Sequence, residues 1–199
     1  MSDKLNTRIT DLLGCKYPII QTAMGWGADP NLVAGTCIAG GFGFLAGATI
    51  PPEEMERDIL RVKELTDKNF GVNFHMYQPN AAEIIGLCIK HGVKAVSYSR
   101  SPGKDMIKKL KDHGIVCIPT VGLPKHAIKA VELGADAVTV QGGEGGGHTG
   151  KIATTLLLPQ VVDAVGDKVP VLAAGGFKDG RGLVAAMAFG ADGIAISNS

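Results

Sequence analysis

The residues best suited to chemistry lie in one glycine-dense segment, residues 141–150 (QGGEGGGHTG). Six of these ten residues are glycine, and glycine lets backbone N–H groups approach a planar or phosphorylated ligand closely. The segment also carries His148, and a histidine can act as a general acid or base near neutral pH. A flexible surface loop with a solvated histidine is the plainer alternative. It would not require Gln, Glu and His at set places between the glycines.

Two further segments carry candidate binding residues. Gly175 and Gly176 follow the apolar run VPVLAA, where paired glycines favour phosphate binding through backbone amides over a simple tight turn. Asn73 ends the run FGVN, and its side-chain amide offers both a donor and an acceptor to the edge of a heterocycle. His75, two residues later, is expected to be a rim histidine rather than a catalyst.

These segments are positioned by a repeating pattern of strands and helices. Short β-branched, apolar runs recur at intervals of about 20 to 35 residues, and eight of them can be counted. Between them lie helix-like stretches such as Pro52–Leu65, which opens with proline and two acidic residues. Residues 104–113 and 125–133 are similar and stop at glycine. Continuous apolar strands alternating with helices predict an α/β protein with a parallel sheet.

The number of strands favours a closed (βα)8 TIM barrel over an open doubly wound sheet. An open sheet usually has fewer strands and a GxGxxG fingerprint in its first turn, whereas the first turn here reads MGWGADPN. In a βα barrel the chemistry sits at the carboxyl ends of the strands. All the candidate segments follow predicted strands, so we expect them to meet at one mouth.

Composition excludes several classes of function. The formal net charge is +1 and aromatic residues make up 5%, so neither a nucleic-acid footprint nor a base-stacking surface is indicated. No signal peptide or membrane-spanning run is present in these residues, and no Cys or His pair has metal-ligand spacing. The four cysteines lie in apolar contexts, which favours reduced thiols and a cytoplasmic protein.

The segments PIIQTAMGW, GGFGFLAG, FGVNF, QGGEGGGHTG and AAGGF, in this order, resemble the flavin-dependent nitronate monooxygenase family, formerly called 2-nitropropane dioxygenases. The resemblance covers residues 12–195, and QGGEGGGHTG is its most specific part. The family includes FMN-dependent enoyl-thioester reductases and flavin reductases that act on CoA thioesters in steroid-ring breakdown.

The resemblance implies a barrel that binds flavin mononucleotide (FMN), with His148 as the catalytic residue and no metal. Backbone of Ala23 and Met24 would lie against the flavin ring, while Asn73 and Gln141 would bond its polar edge. The remaining cofactor contacts implied by position are Gly146 and Gly147 beside the ring, and Gly175, Gly176 and Ser197 at the phosphate.

The implied activity is the oxidation of alkyl nitronates with O2. The alternative is NAD(P)H-dependent reduction of an enoyl thioester carried by CoA or an acyl carrier, which the run GGEGGGHTGKIATTLLLP favours. In both cases the substrate is a small molecule, and only the thioester reduction uses NAD(P)H as its reductant. An alternative of another class is a non-catalytic barrel module without cofactor.

Family members continue strand 8 as GTRF into a phosphate-binding helix and run on well beyond it, whereas residues 197–199 here read SNS. We therefore expect a single barrel domain over residues 1–199 that is truncated after strand 8. Strands 1 and 8 would then lack apolar cover. Either the chain is a fragment, or a partner surface in a homo-oligomer supplies that cover.

Overall fold

The computed structural model describes residues 5–48, 50–147 and 150–197. Eight parallel strands close into a barrel in sequence order, with β1 paired to both β2 and β8. The strands are β1 (Ile19–Gln21), β2 (Phe42–Ala46), β3 (Gly71–His75), β4 (Ala95–Ser99), β5 (Val116–Val121), β6 (Val138–Gln141), β7 (Val171–Ala174) and β8 (Gly193–Ile196). The predicted (βα)8 barrel is confirmed, and the open doubly wound sheet is excluded.

Helices cover the outside of the barrel. They are α1 (Arg8–Leu13), α2 (Pro30–Ile38), α3 (Pro52–Leu65), α4 (Ala81–His91), α5 (Lys104–Asp112), α6 (Pro124–Glu132), α7 (Thr154–Val165) and α8 (Gly180–Ala188). Helix α3 has the predicted bounds, α5 ends one residue earlier than predicted, and α6 begins and ends one residue earlier. A 3-10 turn, Gly25–Gly27, follows β1. No helix in the described part of the chain has the length and apolarity needed to cross a bilayer.

The barrel interior is apolar in its lower half. Ile20, Phe42 and Phe44 meet inside it and are at most 3% exposed. Gly71 leaves room for the Phe44 ring, because a Cβ at Gly71 would lie 2.3 Å from Phe44 Cε1. Helix α1, which precedes β1, plugs this end with side chains of the same cluster, including the fully buried Leu13. The amino-terminal end of the barrel is thus sealed.

Two aspartates fasten the same end of the barrel. Asp136 and Asp192 occupy matching places in the internal repeat ELGADAV and AFGADGI. The Asp136 carboxylate accepts a hydrogen bond from the backbone N–H of Cys117 at 2.9 Å, and Asp192 accepts one from Val171 at 2.9 Å. Arg8 of α1 also donates to both Asp192 oxygens, at 2.9 and 2.7 Å. The repeat therefore encodes a strand-to-strand fastening.

The outer face of β1 and β8 is covered incompletely. Ile194 of β8 is 2% exposed and packs with α8 and α7 residues, but Ile19 and Ile196 on the same face are only partly buried. Ile19 pairs with Ile194 across the two strands, so these side chains form one continuous apolar strip.

Candidate functional site

The carboxyl ends of the strands form a polar mouth above the apolar interior. Successive residues of a strand point to opposite faces, so the residues in step with the inward-facing Gly71 and Ala95 also face inward. At the mouth the inward-facing residues of four neighbouring strands are polar: Asn73, His75, Ser97, Ser99, Thr120, Thr139 and Gln141. All but Thr139 are partly exposed although their strands are buried on both sides. The interior thus opens to solvent at this end.

The predicted glycine segments after β6 and β7 lie against each other at this mouth. The N–H of Gly142 donates to the carbonyl of Ala174 at 3.2 Å. A Cβ on Gly175 would lie 3.0 Å from the backbone nitrogen of Gly145 and 2.9 Å from Thr154 Oγ1. Gly175 and Gly176 have φ angles of 96° and 81°, which L side chains rarely adopt. The close packing around Gly175 and the positive φ angles of Gly175 and Gly176 therefore require glycine at these positions.

The loop after β6 is also fastened to the start of α7. The Glu144 carboxylate accepts hydrogen bonds from Thr154 N at 2.9 Å and from Thr154 Oγ1 at 2.8 Å. Thr154 is 3% exposed, and its hydroxyl also lies 3.0 Å from the carbonyl oxygen of Gly175. One buried threonine therefore joins the β6 loop, the β7 loop and a helix amino terminus.

The hydrogen bond from the Thr154 backbone, with that from the Thr154 hydroxyl, holds the pKa of Glu144 below its usual range. An anion at a helix amino terminus is stabilised by the helix dipole as well. Glu144 is therefore an exposed loop carboxylate that also caps the amino terminus of α7 through Thr154.

The two predicted amide side chains are both held in place by the chain. Asn73 Nδ2 donates to Ser97 Oγ at 2.9 Å and to the Ser97 carbonyl at 3.1 Å. Gln141 Nε2 donates to the carbonyl of Gly146 at 2.6 Å, which closes the start of the β6 loop. Asn73 and Gln141 both face inward at the mouth, so a ligand seated there meets preorganised amides.

The sequence matches the family model described as nitronate monooxygenase over residues 6–91 and 84–199. The chain belongs to the nitronate monooxygenase family.

Three proteins similar to this chain in sequence or in structure carry different names. A Rhodococcus jostii (strain RHA1) protein named (3aS,4S,5R,7aS)-5-hydroxy-7a-methyl-1-oxo-octahydro-1H-indene-4-carboxyl-CoA dehydrogenase is 54% identical, with 96% of this chain and 54% of that protein covered. The structure of FabK from Thermotoga maritima has a TM-score of 0.92 at 36% identity, covering 96% of this chain and 61% of FabK. Nitroalkane oxidase from Streptomyces ansochromogenes has a TM-score of 0.85 at 30% identity, with 95% and 66% covered. The chain spans about half the length of the first of these relatives.

The other cofactor residues suggested by the resemblance to nitronate monooxygenases also follow barrel strands. Ala23 and Met24 come after β1 and are partly buried, and the Met24 carbonyl accepts from Gly27 N at 2.9 Å. Gly146 and Gly147 extend into open space, since a Cβ on either would have no atom within 4 Å. Ser197 follows β8 directly and is exposed. The structure brings the candidates to one end of the barrel.

His148, the predicted catalytic residue of this chain, lies outside the described residues. The base of the loop that carries it is described. Gly143 N donates to the Ile152 carbonyl at 2.8 Å, so the two legs of the loop are tied together at the mouth.

Sequence reasoning missed part of the polar mouth. Ser97 and Thr120 lie within β4 and β5 and face the interior, and the sequence motifs did not single them out. The alternation of the strand residues in VKAVSYS and IVCIPTV could have revealed them, had inward and outward positions been separated. Thr154 carried no such signal, because its partners are distant in sequence.

Proposed function

We propose that this chain is the FMN-binding barrel of an oxidoreductase that acts on a CoA thioester. The observation that carries the proposal is the contact between the β6 and β7 glycine loops, locked by Thr154 beside the polar mouth. In βα barrels the loops after the last strands commonly hold phosphate, and ligands bind at the carboxyl ends of the strands. Membership of the nitronate monooxygenase family supports a flavin as the ligand.

The residues present fit FMN. Gly146 and Gly147 leave open space at the mouth in which a planar ring can approach the backbone. Gly175 and Gly176 have left-handed backbone conformations beside the end of β8, where Ser197 adds a hydroxyl for the phosphate. Asn73 and Gln141 would face the ring edge, and the backbone of Ala23 and Met24 would lie beside it.

When bound, FMN supplies the electron transfer, and the protein supplies position and electrostatics. The amides of Asn73 and Gln141 orient the polar edge of the ring. Glu144 and Thr154 fasten the described base of the segment whose sequence continues to His148. His148 would orient the substrate and move the proton that accompanies its reaction.

A CoA thioester is favoured as substrate by the 54% identity to a protein named as a CoA dehydrogenase. The loop sequence GGEGGGHTGKIATTLLLP supports the same subclass. A nitronate is the second candidate, supported by the family model and by the likeness to nitroalkane oxidase at a TM-score of 0.85.

Titration of the purified chain with FMN, followed by quenching of flavin fluorescence, tests the cofactor. We expect saturable binding at one site, with flavin released on denaturation. Gly146→Ala should weaken FMN binding without lowering Tm, because its Cβ enters only the space reserved for the ligand. Gly86→Ala, on the exposed face of α4, is the matched control and should leave the FMN affinity unchanged. Failure of the chain to take up FMN would refute the cofactor.

Parallel assays on the flavin-loaded chain separate the substrates. Thioester-dependent NAD(P)H oxidation without oxygen consumption supports the proposal. Oxygen uptake that depends on an alkyl nitronate, with no thioester turnover, would assign the second candidate instead. A chain that binds FMN and turns over neither substrate would contradict the enzymatic assignment for these residues.

A further inference from the structure

The rim between β3 and β4 carries a stacked group of side chains that the flavin site does not use. His75 and Ser99 are the last residues of these strands and are paired in register. The His75 ring Nδ1 and the Ser99 hydroxyl are hydrogen-bonded. The His75 ring stacks on the Tyr77 ring, with centroids 5.1 Å apart and planes 10° apart. We call His75, Tyr77, Ser99 and Arg100 the β3–β4 rim.

Arg100 extends this stack with a positive charge. Its guanidinium carbon lies 5.6 Å from the centroid of the Tyr77 ring. Arg100 has a φ of 58°, and it is the one non-glycine residue with positive φ in the described ranges. Backbone strain of this kind persists only where the surrounding structure imposes it, and it is concentrated at ligand sites.

Two members of this stack, Tyr77 and Arg100, are open to solvent. Tyr77 is 55% exposed, although aromatic rings usually bury their area, and Arg100 is exposed. Among the described residues no carboxylate forms an ion pair with Arg100. A cation and an exposed aromatic ring are thus presented together at the mouth, across the barrel from the β7 loop.

The chemistry of this pair matches a phosphorylated adenine nucleotide. A guanidinium binds phosphate with two parallel hydrogen bonds, and an exposed aromatic side chain packs against a planar base. The reacting end of a substrate must reach the interior of the mouth, while a nucleotide arm must remain at its edge. The β3–β4 rim lies at such an edge, one residue beyond the inward-facing Ser99.

We propose that the β3–β4 rim anchors the adenine-nucleotide end of the substrate, with Arg100 on a phosphate and Tyr77 against the base. This inference rests on the proposed function for its substrate class. CoA and NADPH share the chemistry of an adenosine carrying a ribose phosphate. The proposal assigns the rim to the CoA arm, and the experiment separates the two.

Calorimetric titration with adenosine 3′,5′-bisphosphate tests binding independently of flavin and turnover. We expect saturable binding by the unmodified chain, weakened by roughly tenfold or more in Arg100→Ala, because a charge-assisted phosphate contact is lost. Adenosine 2′,5′-bisphosphate represents the NADPH end, and binding of that probe alone would overturn the assignment to CoA. Arg61→Ala, on the exposed face of α3, is the control and should bind as the unmodified chain does.

Kinetics add a readout that a structural role would not change. Arg100→Ala should raise KM for a CoA thioester by roughly tenfold. It should leave kcat unchanged, and it should not affect the matching N-acetylcysteamine thioester, which has no nucleotide. Arg100→Gly should lose the same binding while its Tm stays at or above that of the unmodified chain, because glycine accepts the positive φ. Equal losses with both thioesters, or bisphosphate binding unaffected by Arg100→Ala, would refute the anchor. If the unmodified chain binds the bisphosphate but turns over no thioester, the proposed function is contradicted and the anchor is not.

Discussion

Gly142→Ala is the substitution for which the structure gives the sharpest expectation. Gly142 follows β6 and packs directly on the first residue of α7. A Cβ at Gly142 would lie 2.0 Å from Thr154 Oγ1, 2.5 Å from Thr154 N and 2.6 Å from Thr154 Cα. Two of these three atoms belong to the backbone, so a rotamer change of Thr154 cannot relieve the overlap.

The cost follows from what must move. Either the start of α7 shifts, or the β6 loop shifts and breaks the bonds from Thr154 to Glu144. Overpacking of this kind costs about 1–3 kcal/mol, and the buried Thr154 site belongs at the upper end of that range. The lower entropy of the unfolded Ala chain offsets about 0.4–1 kcal/mol. We expect a net loss of about 2 kcal/mol in the free energy of unfolding, which for a chain of this size lowers Tm by roughly 4–8 °C.

Urea unfolding followed by circular dichroism measures the loss, with Gly86→Ala as the matched control. Gly86 lies in α4 on an exposed face with no atom within 4 Å of a Cβ, so this change should stabilise the protein slightly. FMN affinity should fall in Gly142→Ala alone, because the displaced loop carries Gly146. A Gly142→Ala protein as stable as the parent would refute the packing of the β6 loop on α7.

Three further predictions rest on the described contacts. Hydrogen bonds hold the folded-state pKa of Glu144 below its usual 4.5, so the ionised carboxylate contributes fully to the free energy of unfolding above pH 4.5. This contribution is lost as the pH falls through the lower folded-state pKa. A plot of Tm against pH should therefore fall less steeply in acid for Glu144→Gln than for the unmodified chain. Asp192→Ala should lower the free energy of unfolding, measured in urea, by about 1–3 kcal/mol more than Arg8→Ala does. The extra loss arises because Asp192→Ala also leaves the buried Val171 N–H without its acceptor. Equal losses in the two variants would contradict this. Burial raises the pKa of the Cys88 thiol to about 12, so it should react with a thiol reagent at pH 8 only after unfolding, and fast labelling of the native protein would show that the thiol is accessible.

The sequence was sufficient for the barrel because the relevant signals are local. Apolar runs, glycines at helix ends and the proline and acids that open α3 each act over a few residues. The segments 141–150 and 173–177 could be placed at one mouth because parallel strands share a carboxyl end.

What escaped prediction depends on contacts between distant residues. Glu144 and Thr154 are ten positions apart, and Thr154 also meets Gly175, so no local pattern indicates that one side chain serves both loops. The stack of Tyr77 on His75 and Arg100 depends likewise on the register of β3 with β4. Composition and periodicity do not specify such pairings.

The salt bridge between Arg8 and Asp192 joins residues 184 positions apart. Bringing them together requires nearly the whole chain to be ordered, and loop-closure entropy makes such long-range contacts late events in folding. The helix α1 can therefore seal the barrel only after β8 has joined β1. Closure of the sheet and fastening of its base by this salt bridge are thus coupled in one step. The rate of that step sets how long the apolar interior is open to aggregation.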